Sequence, residues 1–346
     1  MTTPRSFFLV SALAACALAA CASSTGTPVQ PETPGTVAVN VQVAPPLTAV
    51  SNAFESASSL ELPEAAPLEF PALHNVFHLS ENIITGSEPG DEASLALIAS
   101  WGVKTILSTD GKAPDAETAA KYGMRYVHVP IQYKGITEDE QLRIVKVFRE
   151  LEGPFFVHCF HGKHRGPAGA ALGRLALDGV SREQALAEMR QWCGTSSKYS
   201  GLYWTVACAE LPDEATTRSY RWDFPSAQPL EGIAGAMVTT ARHYENVLYS
   251  DDVDYGVDPL HPDIDPLNEA EILHQLFAQM RAMDEVQREP DDYREWMADG
   301  ERASFELVEA LRDHRAGVPE ARERVEDALA ATKQSCAACH TKYRNR

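Results

Sequence analysis

The chain has 346 residues, more than a single hydrophobic core ordinarily serves, so more than one domain is expected. With 44% apolar and 23% charged residues, its composition is that of a globular protein. A formal charge of -19, uninterrupted by any run of Lys and Arg, argues against nucleic acid as a partner but leaves room for a small anion in a locally positive pocket.

Arg5, the apolar stretch Phe7 to Leu18 and the small residues after it read as an export signal, too short to span a bilayer. Leu18-Ala19-Ala20-Cys21 resembles a bacterial lipobox, which implies lipidation of Cys21 once the signal, residues 1–21, is removed. Leu13-Ala14-Ala15-Cys16 repeats the pattern with less apolar sequence before it. The expected location is the periplasm or outer surface, lipid-anchored to a bacterial membrane. Residues 22–71 are Ser, Thr, Pro, Ala and Val without a sustained period, and read as a disordered tether.

From residue 72 to about 215, short apolar runs alternate with helix-length amphipathic segments. Lys104 to Ser108, Arg125 to Ile131 and Pro154 to His158 read as strands. Glu92 to Trp101, Glu138 to Leu151, Pro167 to Leu177 and Arg182 to Trp192 read as helices, the second opened by a Thr137/Glu140 capping box. Alternation of this kind predicts an α/β domain with a mostly parallel sheet.

His158-Cys159-Phe160-His161-Gly162-Lys163-His164-Arg165 follows the third strand and opens a helix. Backbone N–H groups converge at such a turn and the helix N-terminus adds partial positive charge, so an anion is well bound there. The same field favours a thiolate, and an arginine can grip two phosphate oxygens.

This motif resembles the HCxxxxxR signature of the cysteine-dependent tyrosine and dual-specificity phosphatases, over roughly Phe77 to Glu210. The Gly162-Lys163-His164-Arg165 core is most similar to the atypical plant and fungal group. The resemblance implies that Cys159 attacks phosphorus to form a phosphocysteine, that Arg165 stabilises the transferring group, and that His158 tunes the thiolate. Phe160, His161, Gly162, Lys163 and His164 would form the phosphate cradle, with Lys163 and His164 widening a positive pocket suited to a phosphorylated small molecule, inositol pyrophosphates included, or to a phosphoprotein. Arg174 reads as structural.

Two features depart from the family. Gly166 and Pro167 follow the arginine where the family places Ser or Thr. The loop expected to carry an acidic proton donor reads Gln132-Tyr133-Lys134-Gly135. Glu138 and Asp139 read as acids of a helix N-terminus, and Asp110 as part of an Asp-Gly turn.

Residues 222–346 carry four helical stretches, about Leu230 to Tyr249, Asn268 to Val286, Asp291 to Arg315 and Pro319 to Tyr343, with a long Asp- and Pro-rich loop from Asp251 to Pro266. An antiparallel four-helix bundle is predicted. Cys336-Ala337-Ala338-Cys339-His340 is a CxxCH sequence, in which two thiols can bond covalently to haem c while the imidazole ligates the iron. A motif on the last of four helices resembles the class II cytochromes, cytochrome c prime included. That resemblance implies His340 as the proximal iron ligand, Met237 on the first helix as a distal one, and Arg344 near the propionates. His243 is an alternative distal ligand, and Met280, Met283 and Met297 lie on later helices. Cys193 and Cys208 could pair in an oxidising compartment.

The sequence thus predicts an exported haem-c lipoprotein carrying a phosphatase domain, open to redox or gas control by the haem. The other reading is an electron-transfer or gas-binding cytochrome whose phosphatase-like domain only captures an anion or a partner. A redox partner protein is implied, and class II relatives often dimerise, which makes a homodimer one expectation.

Overall fold

The computed structural model describes residues 41–343 apart from 49, 230, 231, 260 and 263. The signal segment with Cys21, and Arg344 at the other end, lie outside the described residues.

A short helix α1 (Ala53–Ser56) precedes a mixed six-stranded sheet. Its elements are β1 (Leu68–Phe70), β2 (Leu73–His78), β3 (Ile83–Ser87), α2 (Glu92–Ser100), β4 (Thr105–Ser108), α3 (Ala116–Lys121), β5 (Arg125–His128), α4 (Glu138–Glu150), β6 (Phe155–Cys159), α5 (Arg165–Gly173), α6 (Arg182–Ala187), α7 (Ser200–Cys208) and α8 (Glu214–Ser219). The strand order is β1-β2-β3-β6-β4-β5. β3, β6, β4 and β5 run parallel, while β1 and β2 add an antiparallel edge, so the mostly parallel sheet is observed with an extension the apolar pattern did not reveal. β3 escaped because only Ile83 and Ile84 of its five residues are apolar; its burial comes from its neighbours.

Strand alternation builds two cores. Ile83, Leu107 and Val157 enter one face, and Ile84, Ile106 and Phe156 the other. Central strands covered on both faces read as continuous apolar runs for this reason. The Thr137/Glu140 capping box forms, with Glu140 N–H donating to Thr137 Oγ1 at 3.3 Å and Thr137 N–H to Glu140 Oε2 at 2.7 Å. α5 and α6 each run on into one turn of π-helix, Arg174–Asp178 and Glu188–Trp192. Arg174 there pairs with Glu188 at 2.8 Å and Asp178 at 2.5 Å, a structural role.

The expected tether needs correction between residues 41 and 71. Leu47 N–H donates to Ala207 O at 2.9 Å, Arg182 Nε to Ala44 O at 3.1 Å, and Trp192 Nε1 to Pro63 O at 2.9 Å. Ala53 and Ala57 are buried, and Phe54 packs edge-on against Tyr203 beneath the Arg190 guanidinium. Apolar residues without a period can still fill a groove that the rest of the domain presents. Residues 22–40 lie outside the described residues.

The helical region comprises α9 (Gly232–Tyr249), α10 (Pro266–Ala282), α11 (Asp284–Gln287), α12 (Asp291–Arg315) and α13 (Ala321–Tyr343). The four long helices share a core that includes Val247, Leu273, Phe277, Leu307, Leu311 and Val325. Gly300 belongs there by necessity, since a Cβ would lie 2.4 Å from the Phe277 ring. Asp265 caps α10 by accepting from Leu267 and Asn268 N–H, with Pro266 in the first turn. No described helix is long and apolar enough to cross a membrane.

Candidate functional site

β4 and β6 are parallel neighbours in register, Ser108 opposite His158, so the residues that follow them emerge side by side at the carboxyl edge of the sheet. Thr109 secures the junction, its N–H and hydroxyl each donating to His158 O at 2.9 Å. Asp110 on one loop and Phe160 on the other are adjacent as a consequence.

The Cys159–Arg165 loop turns from β6 directly into the N-terminus of α5. Gly162 adopts φ +70 and packs flush on β3, where a Cβ would sit 2.3 Å from the Gly86 carbonyl carbon; only glycine fits. Asn75 clamps the loop from outside, its amide donating to Gly162 O at 2.8 Å and Cys193 O at 3.3 Å, and Thr195 Oγ1 donates to Lys163 O at 2.6 Å. The departure at Gly166 has a steric reason. A Cβ there would lie 2.9 Å from the Cys159 amide nitrogen, because α5 starts against the strand end.

Cys159 is buried at the base of this loop. His158 is buried too, with Nε2 sharing a 2.6 Å hydrogen bond with Tyr126 OH, and burial pushes its pKa down to about 3, which keeps it neutral. His164 contradicts the expected positive pocket. Packed against the Tyr199 and Tyr133 rings, it is held neutral by burial with its pKa pushed down to about 3. Lys163 is exposed, and half-buried His161 lies 3.9 Å from Asp265, the residue that caps α10.

Arg165 is buried, lies 4.5 Å over the Tyr133 ring, and pairs with Asp110 Oδ2 at 2.5 Å. The same carboxylate oxygen accepts Phe160 N–H at 3.1 Å, and Oδ1 accepts Lys112 N–H at 3.0 Å. Burial alone would raise the Asp110 pKa, but the Arg165 charge and these N–H donors outweigh it and hold the carboxyl well below its usual range. Asp110 is therefore an anionic anchor for Arg165, more than the turn residue expected, and a poor proton donor. Asp139 is tied to Arg143 and Tyr220 at 2.7 Å each, on the first turn of α4.

The helical region packs beside Arg165 at the end of this loop. A cavity of about 270 Å³ is lined by Arg165, Tyr133 and Gln132 on the α/β side and by Arg242, His243 and Glu269 on the helical side. Arg242 donates to Gln132 Oε1 at 2.8 Å, and Lys112 bridges Glu88 and Glu271 at 2.7 Å each. A wider groove of about 740 Å³ lies beside residues 134–137 and 200–205, but Cys159 and Arg165 are not on its walls.

The α/β region is similar to dual-specificity phosphatases. A dual specificity protein phosphatase of Pseudomonas aeruginosa, TpbA, is 29% identical over 154 residues, spanning 42% of this chain and 70% of that protein. Its crystal structure aligns at 26% identity over 41% of this chain and 88% of that one, with a TM-score of 0.35. A variant of the same protein in complex with pTyr aligns at 24% identity over 37% and 80% of the two chains, with a TM-score of 0.33. No protein-family model matches the chain.

A second cavity of about 270 Å³ lies within the helical region, lined by Met237, Tyr244, Phe277 and Met297 together with Cys336, Cys339 and His340. Cys336 and Cys339 are free thiols on one wall, and burial raises both pKa values, that of Cys339 to about 11. An apolar cavity with two thiols and an imidazole on one helix fits a covalently held haem. Met237 shares this cavity. His243 does not: it lines the cavity beside Arg165, which corrects its placing as an alternative distal ligand. Met280 is buried in the helical core. Cys193 and Cys208 are unbonded.

Asn75 and Glu269 escaped notice on sequence, while Asp110 read as a turn residue and His243 as an alternative haem ligand. Asn75 carries no local signal, since its role depends on a loop 87 positions away.

Proposed function

We propose that the α/β region hydrolyses a phosphate ester or pyrophosphate through a phosphocysteine on Cys159. The observation that carries this is the Cys159–Arg165 cradle, set at a strand-to-helix turn with Arg165 buried beside the thiol, in a region 29% identical to a dual-specificity phosphatase. Cys159 would attack phosphorus while Arg165 and the loop N–H groups bind the equatorial oxygens. The substrate would be a phosphorylated small molecule or phosphoprotein. Full-length protein and Cys159→Ser are to be compared on a phosphate monoester. Turnover abolished by the substitution supports the proposal, and equal rates sink it.

The helical region is proposed to hold haem c on Cys336 and Cys339 with His340 as proximal ligand and Met237 as the distal candidate. When bound, haem would supply one-electron redox chemistry or gas binding, and a route by which either could govern the phosphatase site. The chain is further proposed to be exported and anchored through Cys21, for which the support is the signal-like pattern before it. Cys21→Ser should move the protein from the membrane fraction to the soluble one.

The alternative, a cytochrome whose α/β region docks a partner protein without turnover, is favoured by one observation: Asp110 already occupies both the Arg165 guanidinium and Phe160 N–H.

A further inference from the structure

We propose that His243, on α9 of the helical region, is the general acid that the phosphatase loop lacks, a proposal that rests on the hydrolase reading above. His243 and Arg165 line the same cavity from opposite sides. The imidazole edge faces the Asp110–Gly111 turn, with Cε1 and Nε2 at 3.8 and 4.0 Å from the point a Gly111 Cβ would occupy. Asp110 in turn holds Arg165, so the imidazole stands beside the group that would grip the phosphoryl oxygens.

Its other nitrogen, Nδ1, hydrogen bonds Glu269 Oε2 at 2.6 Å, and Asn246 donates to that same oxygen at 2.8 Å. A buried carboxylate on Nδ1 orients the ring and leaves Nε2 directed away from Glu269. The remaining ionisable groups of the cavity are committed elsewhere. Arg242 is bound to Gln132, His128 uses Nε2 on Asp110 O and Nδ1 on Gln228 N–H, and the Tyr133 ring lies against Arg165. The loop from Gln132 to Gly135, which contains no acid, faces this cavity through Gln132 and Tyr133.

In the first step the Cys159 sulfur forms a bond to phosphorus as the bond to the leaving oxygen breaks. The departing electron pair takes the proton from His243 Nε2, leaving a neutral imidazole beside the Glu269 carboxylate. In the second, water attacks phosphorus, its proton returns to His243, and the sulfur leaves as thiolate with phosphate released. Charge and protons balance over the cycle with no further reactant.

The test uses leaving groups of unequal basicity, since a general acid matters most where the departing oxygen is a strong base. Full-length protein, His243→Gln and Glu269→Gln are assayed on p-nitrophenyl phosphate and on an alkyl phosphate monoester. For His243→Gln the ratio of alkyl to nitrophenyl kcat should fall about a hundredfold, within the range general-acid catalysis supplies. Glu269→Gln should move it in the same direction by less. A ratio unchanged in both variants, or equal loss on both esters, overturns the proposal while leaving the phosphatase intact. A wild-type protein inactive on both esters removes the hydrolase reading itself, and this proposal with it.

Discussion

Asp110 and Arg165, 55 positions apart, form a 2.5 Å ion pair whose side chains are 3% and 8% exposed, joining the loop after β4 to the end of the Cys159–Arg165 loop. At that burial the pair is a structural commitment as well as an electrostatic one, because each partner desolvates the other.

Asp110→Asn should destabilise the protein by about 3 kcal/mol or more, the cost of leaving one buried charge without its partner. The folded-state pKa of Asp110 is depressed, so its stabilisation is present above the unfolded carboxyl pKa and is lost as pH falls below about 4. Urea unfolding of wild type and variant from pH 3 to 7 checks this. Curves that stay the same distance apart across that range would exclude it.

Glu88 has the opposite sign. Burial raises its pKa to about 7 against the partial relief of Lys112, which Glu271 shares. Such a group favours the folded state when protonated, so stability should decline as pH rises from about 4.5 to 7. Glu88→Gln should remove that decline, a gain of at most roughly 3 kcal/mol above pH 7. Thermal unfolding at pH 5 and pH 8 measures it; a variant less stable than wild type at pH 8 contradicts the assignment.

Gly166→Ser restores the hydroxyl common in related loops, yet turnover should fall. The new Cβ would stand 2.9 Å from the Cys159 amide nitrogen, and overpacking of this kind costs about 1–3 kcal/mol. Steady-state rates together with melting temperature decide the matter, and a faster variant of unchanged stability would show that the helix start yields.

On the proposal that the helical region holds haem c, Cys336→Ser and Cys339→Ser should each weaken haem retention through denaturation and together abolish it; a wild-type chain that carries no haem absorbance after unfolding overturns that proposal. Met237→Ala should change the absorption spectrum of the ferrous protein. An unaltered spectrum removes Met237 as the distal ligand while leaving His340 in place.

Phe54→Ala should cost about 2 kcal/mol through lost contact with Tyr203 and Arg190. It should also open residues 41–66 to protease. Cleavage there at the wild-type rate would argue that the segment is not held.

Much was legible without coordinates. Lys104 to Ser108, Arg125 to Ile131 and Pro154 to His158 coincide closely with β4, β5 and β6, and α12 matches its predicted limits, because long periodic or fully apolar segments declare themselves locally. The phosphatase-like loop was legible for the same reason, since its cysteine, arginine and glycines lie within eight residues. The packed segment 41–66 was not, because its irregular apolar residues acquire meaning only from the groove formed by α6 and α7.

The sequence by itself singled out the residues proposed to carry the chemistry of each half: Cys159 and Arg165 in one, Cys336, Cys339 and His340 in the other. Only the tertiary structure decided that His164 is neutral, that Asp110 holds Arg165, and that His243 lines the cavity beside Arg165 and not the cysteine-lined one. Charge state and partner depend on burial and on groups brought from distant positions, and neither is encoded within the reach of a local motif.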